Sequence, residues 1–126
     1  MKKILVTGGA GYIGSKLVTK LLNIGYEVTV VDVLKFSSKS LNHLFFDRNF
    51  HFIKGDVRNK KLMKKLVEKN EFIIPLAALV GAPLCKKYKK EAISVNLDSI
   101  KFLMKLVAKR KKKSYLFNNK FWIWSW

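Results

Sequence analysis

A glycine-rich turn limits the fold of this chain more than any other feature. In "TGGAGYIG", residues 7–14, three glycines have the spacing G-x-G-x-x-G: Gly9, Gly11 and Gly14. The apolar run "ILV" precedes the turn, and the apolar residues after Tyr12 recur at helical spacing as far as Gly25. We therefore predict a strand, a tight turn and a helix, with the N-terminus of the helix at the carboxyl end of the strand.

The remaining pattern alternates strands with helices. "YEVTVVD", "FHFIKGD" and "EFIIPLAA" predict three further strands, and residues 33–49 are irregular, with one or two helical turns around 38–46. One helix is predicted around 62–67 and another from Glu91 to Lys109, whose apolar face comprises Ile93, Leu97, Ile100, Leu103, Met104 and Val107. This order predicts an α/β fold with a doubly wound parallel sheet of the Rossmann type, ending after about four strands.

Composition limits the chain to one domain. It has 126 residues and one cysteine, Cys85, so no intrachain disulfide is expected and a reducing cytoplasm fits best. "MKKILVTGG" is too short in apolar residues for a signal peptide. The apolar stretch 72–85 contains two prolines and falls short of the roughly 20 residues of a spanning helix. We predict neither a transmembrane segment nor a metal site.

The charge leaves two interpretations open. Lys and Arg number 26 against eight Asp and Glu, which gives a formal charge of +18 and suits an anionic partner such as nucleic acid or a membrane surface. Many lysines, however, fall on the outer faces of predicted helices, where they would simply be solvated: Lys60, Lys61, Lys64, Lys65, Lys101 and Lys105. We favour the second interpretation.

The glycine turn suits a dinucleotide. A pyrophosphate must approach the backbone and accept hydrogen bonds at a helix N-terminus, and a side chain at Gly11 would obstruct it. Asp32 ends the second predicted strand, where a carboxylate accepts from the adenosine ribose and repels a 2′-phosphate, which favours NAD over NADP. Asp56 ends the third predicted strand and is expected to contact the adenine amino group. The alternative for both aspartates is a local cap of a turn or helix.

Five motifs in order resemble the extended short-chain dehydrogenase/reductases of the NAD-dependent epimerase/dehydratase family: "TGGAGYIG", "VVD", "KGDVRN", "PLAALVGAP" and "AISVNLDSI". The resemblance covers about residues 1–108 and implies an N-terminal, NAD-binding portion, residues 1–109, of an enzyme that acts on nucleotide sugars. For the full-length enzyme it implies a nucleotide-sugar substrate and a homodimer.

The resemblance also implies which residues bind NAD. Gly8, Gly11, Tyr12, Ile13 and Gly14 would hold the pyrophosphate, Asp32 the ribose, and Asp56 and Val57 the adenine. Leu76, Ala77 and Ala78 would line the dinucleotide after the fourth strand. Asn96 matches the family's asparagine in the following helix, although a polar residue turned to solvent is the alternative. Pro75 and Val33 depart from residues common in the family and suggest a subgroup.

The family's catalytic residues find no place here. The resemblance implies a Tyr-x-x-x-Lys pair, in which the tyrosine is the general acid/base, and an assisting Ser or Thr at the end of a fifth strand. Tyr88 comes too early, in the expected loop after strand four, and no lysine stands four positions later. We assign no catalytic residue and expect a nucleotide-binding portion that is inactive alone. The alternatives are a stand-alone dinucleotide-binding or sensor module and a basic protein for nucleic acid or membrane surfaces.

Residues 110–126 form a basic and aromatic tail that we predict to be a frameshift product. Lys111–Lys113 implies an adenine-rich tract, where a base is easily gained or lost. Shifted by one base, Trp122 and Trp124 become glycine, and one permitted translation, K-V-I-Y-S-T-T-N-S-G-Y-G, resembles the family's fifth strand. The tail is then expected to be poorly ordered or packed opportunistically on strand four, whose edge "KSYLFN" would cover. An interfacial anchor is the alternative.

Overall fold

Five parallel strands form one sheet in the order β3-β2-β1-β4-β5. The computed structural model describes residues 1–35, 39–79 and 82–114. The strands are β1 (Lys3–Thr7), β2 (Glu27–Asp32), β3 (Phe50–Lys54), β4 (Phe72–Pro75) and β5 (Lys113–Ser114). The four predicted strands and the doubly wound α/β class are therefore confirmed, and the sequence order reverses between β1 and β4.

Helices cover both faces of this sheet. They are α1 (Tyr12–Asn23), a 3₁₀ helix (Lys39–Leu44), α2 (Lys60–Lys69), α3 (Ala82–Lys87), α4 (Lys89–Ile93), a π turn (Ser94–Asp98) and α5 (Ser99–Lys109). The 3₁₀ helix lies in the stretch expected to be irregular with one or two helical turns. The six lysines assigned to outer helix faces are all exposed.

Alternating side chains of the central strands divide the core into two layers. From β1, Ile4 and Val6 pack with α1 and the 3₁₀ helix, whereas Leu5 packs with α2 and α5. β4 repeats the division, with Ile74 in the first layer and Ile73 in the second. Because both faces of β1 are covered, its carboxyl end and the glycine turn have a rigid support.

The long helix predicted from Glu91 to Lys109 is helical but not regular. The π turn holds one residue more than an α-helical turn and so rotates the preceding residues about the axis. Leu103 and Val107 are buried as predicted, whereas Ile93 and Leu97 are exposed, so their place on the apolar face was wrong. The segment expected as a loop before Tyr88 contains α3, whose Pro83 lies in the first turn, where proline is tolerated.

The start of the tail joins the sheet. In β5, Lys113 and Ser114 pair in parallel with Phe72 and Ile73 of β4. This is the beginning of the segment expected to cover the edge of strand four. The rest of the tail, residues 115–126, lies outside the described residues, so the frameshift and anchor interpretations of the tail remain predictions.

Candidate functional site

Three glycines of the turn are required by the chain's own packing. Gly8 has φ +71°, and a Cβ there would lie 2.6 Å from the backbone nitrogen of Ala77. A Cβ on Gly9 would lie 2.6 Å from Cγ1 of Val30, and one on Gly14 would lie 2.5 Å from the carbonyl oxygen of Gly8. These distances are far too short for a real contact. The turn therefore packs closely against β2, the segment after β4 and the start of α1.

Gly11 differs from the other three. Its backbone is extended, with φ −72° and ψ 176°, a conformation open to any residue. A Cβ would meet only the carbonyl oxygen of Gly8, at 3.4 Å, an ordinary contact. Gly11 is also exposed. Neither packing nor backbone geometry requires a glycine here, so the missing side chain leaves space on the outside of the turn.

Backbone donors without an acceptor lie at the start of α1, directly after Gly11. α1 begins at Tyr12 without a side-chain cap. Among the described residues, the N–H groups of Tyr12, Ile13 and Gly14 have no hydrogen-bond acceptor, whereas the Ser15 N–H donates to the Gly11 carbonyl at 2.9 Å. Free donors and the positive end of a helix dipole suit an anion.

Asp32 joins the end of β2 to the glycine turn. Its Oδ2 accepts from the Ala10 N–H at 3.0 Å and its Oδ1 from the Leu34 N–H at 2.8 Å. The bond to Leu34 is the local turn cap considered for this residue, whereas Ala10 lies 22 positions away in the glycine turn. Each carboxylate oxygen has a second lone pair, so these bonds leave acceptor capacity for hydroxyl groups of a ligand.

Thr7, which the sequence analysis missed, fixes the segment after β4. Its buried hydroxyl accepts from the Leu76 N–H at 3.1 Å and the Ala77 N–H at 3.2 Å. The signal in the sequence was a hydroxyl residue at the end of an apolar strand, directly before the glycines. Leu76, Ala77 and Ala78 are all half-buried and follow β4 beside Gly8.

Asn96 is not turned to solvent, so that alternative is wrong. The side chain lies in the π turn, where its Oδ1 accepts from the Leu79 N–H at 2.8 Å and its Nδ2 donates to the Leu79 carbonyl at 2.9 Å. The thiol of Cys85 donates to the same carbonyl at 3.3 Å. Asn96 therefore positions the chain just beyond Ala78.

Asp56 is engaged by Arg58. The guanidinium donates to both carboxylate oxygens, with Nη2 2.6 Å from Oδ2, and the Arg58 N–H donates to Oδ1 at 2.9 Å. These hydrogen bonds hold the pKa of Asp56 below its ordinary value. Arg58 Nη1 also donates to Ser94 Oγ in the π turn at 3.2 Å. Val57, which lies between Asp56 and Arg58 in the sequence, is half-buried and packs against the core layer formed with α2 and α5.

A second ion pair crosses from the β2 loop to α4. Lys35 Nζ lies 3.4 Å from Glu91 Oε1 and 5.1 Å from the centroid of the Tyr88 ring. No sequence signal pointed to this pair, because its partners are 56 positions apart. Together with the Arg58–Ser94 contact, it ties the loops after β2 and β3 to the helical segment after β4.

One tyrosine and one lysine do have the Tyr-x-x-x-Lys spacing. Lys16 Nζ donates to the Tyr12 hydroxyl at 2.8 Å and lies 4.1 Å from the ring centroid. Both residues are in the exposed first turns of α1, whereas the family's pair comes after a fifth strand. Residues four apart on any helix meet in this way, so we assign this pair no catalytic role.

The predicted site residues thus gather at the carboxyl edge of the sheet. A continuous set of contacts joins the glycine turn to Asp32, to the segment after β4 and to the π turn. At the reversal of strand order, this edge is where open α/β sheets bind nucleotides. The space at Gly11, the free helix N–H groups and the acceptors of Asp32 fit a dinucleotide.

The comparisons with known proteins decide the family. The model of the NAD-dependent epimerase/dehydratase family matches residues 4–119. The chain belongs to this family. Two curated relatives are a UDP-N-acetyl-alpha-D-glucosaminuronate decarboxylase from Bacillus cytotoxicus, 34% identical over 89% of this chain and 35% of the relative, and a UDP-glucose 4-epimerase from Haemophilus influenzae, 48% identical over 54% of this chain and 21% of the relative.

Solved structures share the fold of this chain. Pal from Bacillus thuringiensis superposes with a TM-score of 0.83 at 30% identity, over 89% of this chain and 37% of that one. The UDP-glucose 4-epimerase of Thermus thermophilus, solved in complex with NAD, gives 0.75 at 26% identity, over 87% and 35%. The family member described here spans about a third of the length of these proteins.

Two other features are absent from the part of the chain that the structure describes. No helix there has the length and apolar character to cross a membrane. No group of three or more His, Cys, Asp or Glu side chains there could hold a metal ion.

Proposed function

We propose that this chain binds NAD through the carboxyl edge of its sheet, as the nucleotide-binding portion of a nucleotide-sugar epimerase or dehydratase. The observation that carries the proposal is Gly11. It is the one glycine of the turn that the chain itself does not need, because a Cβ would contact only the Gly8 carbonyl and the backbone is extended. A glycine that neither packing nor conformation requires is explained by a ligand that approaches the backbone.

The roles of the other residues follow from their positions. The pyrophosphate would accept from the N–H groups of Tyr12, Ile13 and Gly14, and Asp32 would accept from the adenosine ribose with its remaining lone pairs. Gly8 acts indirectly, since its contact with Ala77 sets the distance between the turn and the segment after β4. When bound, NAD supplies the hydride acceptor and donor of the family's chemistry.

We propose that six further residues line the part of the site that binds the adenosine half of NAD: Asp56, Val57, Leu76, Ala77, Ala78 and Asn96. Asp56 already accepts from Arg58, so an adenine amino group would share that carboxylate with the guanidinium. Both amide atoms of Asn96 bond to the backbone of Leu79, so Asn96 acts by holding this segment in place. Without an assignable catalytic pair, we propose that the chain alone does not turn over a nucleotide sugar.

Calorimetric titration of the 126-residue chain with NAD tests the proposal. Gly11→Val should keep the unfolding midpoint and lose at least about tenfold in affinity, because the branched side chain occupies the phosphate path. Gly11→Ala, a smaller change, should fold equally and bind with intermediate affinity. Gly25→Ala is the matched control: at φ +97° it should lower stability by about 1 kcal/mol and leave the affinity unchanged.

The alternatives give different results. If the wild type gives no heat with NAD but binds RNA or anionic vesicles in a salt-sensitive way, the proposal is wrong and the basic surface carries the function. If Gly11→Val binds NAD as tightly as the wild type, the phosphate path is wrong even though the chain binds a nucleotide.

A further inference from the structure

The cation nearest in sequence to Asp32 is held by the opposite side of the site. Lys35 follows Asp32 by three positions, and the turn between them is anchored by the Asp32 Oδ1 bond to the Leu34 N–H at 2.8 Å. Leu34 has φ +57°, an uncommon conformation for a residue with a branched side chain. After this turn the ammonium group of Lys35 lies on α4 rather than on the glycine turn.

Two groups on α4 and at its N-terminus hold that ammonium. Glu91 Oε1 is 3.4 Å from Nζ, and the Tyr88 ring centroid is 5.1 Å away. Lys87 lies over the same ring at 5.3 Å. Because two cations share one ring and repel each other, the ring alone favours neither, and the Glu91 carboxylate is the group that retains Lys35.

A basic side chain beside the adenosine ribose is what allows a nucleotide-binding site of this fold to accept a 2′-phosphate. Lys35 is placed in the chain to be such a side chain, because it stands just after the residue that faces the ribose. Asp32 alone repels the phosphate, and a mobile lysine three positions later would partly offset that repulsion.

We propose that Glu91, with Tyr88, is a positioning residue that keeps Lys35 away from the ribose and so strengthens the discrimination against dinucleotides that carry a 2′-phosphate. This inference rests on the proposed function. It assigns a role in cofactor selection to α4, on the far side of the site from β2.

The test compares the dissociation constants of NAD and NADP for four proteins at low salt: the wild type, Glu91→Gln, Lys35→Ala/Glu91→Gln and Glu68→Gln. The last is the matched control, because Glu68, an exposed residue of α2, pairs with Arg110 at 2.8 Å and its loss changes the net charge equally. Glu91→Gln should tighten NADP relative to NAD by roughly three- to tenfold, the effect of one partly exposed charge pair. Glu68→Gln should leave the ratio unchanged.

The double variant separates Lys35 from a general charge effect. If Lys35 is responsible, Lys35→Ala/Glu91→Gln should return the ratio to the wild-type value. A wild type that binds NAD while Glu91→Gln and Glu68→Gln give the same ratio would overturn this inference alone. A wild type that binds neither dinucleotide would overturn the proposed function and this inference with it.

Discussion

At the scale of single residues, the site depends on side chains that bond to the backbone of another segment. Thr7, Asp32 and Asn96 each accept main-chain N–H groups from a segment distant in sequence or beyond their own turn. None of these contacts follows from periodicity. Their residue types were visible, and Asp32 and Asn96 were selected from motifs, but the partners Ala10 and Leu79 required the fold.

The buried Thr7 hydroxyl should contribute to the free energy of unfolding through its hydrogen bonds to the segment after β4. Thr7→Val keeps the shape and removes the side-chain acceptor of the Ala77 N–H, whereas the Leu76 N–H still donates to the Thr7 carbonyl at 2.9 Å. The unsatisfied Ala77 N–H should cost about 1–3 kcal/mol of unfolding free energy. Urea unfolding measures this. Thr29→Val is the control, since the Thr29 hydroxyl has no partner within the described part of the chain, and an equal loss in both variants would contradict the assignment.

The Arg58 guanidinium should control the titration of Asp56. It holds the pKa of Asp56 below the ordinary value of about 3.9, so the pairing stabilises the fold above that pH and is lost as the pH falls through the lowered pKa. Arg58→Gln should raise the pKa of Asp56, followed by carboxyl-carbon NMR. Arg48→Gln, an equal loss of charge at an exposed position, should leave it where it is.

At the scale of elements, the sequence predicted the strands and helices that carry a clear period and missed those that break one. β1 to β4, α1 and α2 stand where their apolar patterns indicated. The π turn escaped notice because one inserted residue shifts the phase of a helix without changing its composition. α3 escaped because glycine and proline at 81–83 resemble a loop, although proline suits a first helical turn.

The π turn should stabilise the backbone of the segment after β4 through Asn96. Asn96→Ala removes both bonds to Leu79, so exchange of the Leu79 amide hydrogen should accelerate at least about fivefold, as expected for the loss of one net hydrogen bond. Asp98→Ala, an exposed change in the same turn, should leave that amide unchanged. Equal protection in Asn96→Ala would show that packing alone orders the segment.

At the scale of the whole molecule, charge is the dominant imbalance. The chain carries 26 Lys and Arg against eight Asp and Glu. The ion pairs found among the described residues are few and partly exposed. Self-repulsion should therefore lower the stability of the folded chain, since like charges come closer together on folding.

Salt should stabilise this protein. Raising NaCl from about 0.05 to 0.5 M shortens the screening length and should move the urea midpoint upward. Urea is uncharged, so it leaves the electrostatic comparison intact. A variant with three exposed α2 lysines changed to glutamine, at Lys60, Lys61 and Lys64, should show a smaller salt effect than the wild type, whereas an equal or larger effect would contradict the explanation.

The burial of the Cys85 thiol makes its rate of chemical labelling a measure of local opening. Cys85 is the only cysteine of the chain, is 7% exposed, and packs with Leu79 and Ala92 while its thiol bonds to the Leu79 carbonyl. A reagent can modify it only when this small cluster opens, so the labelling rate at saturating reagent counts the openings per second. A nucleotide lying against Leu76–Ala78 would slow that rate, so the labelling of Cys85 would report the occupancy of the site.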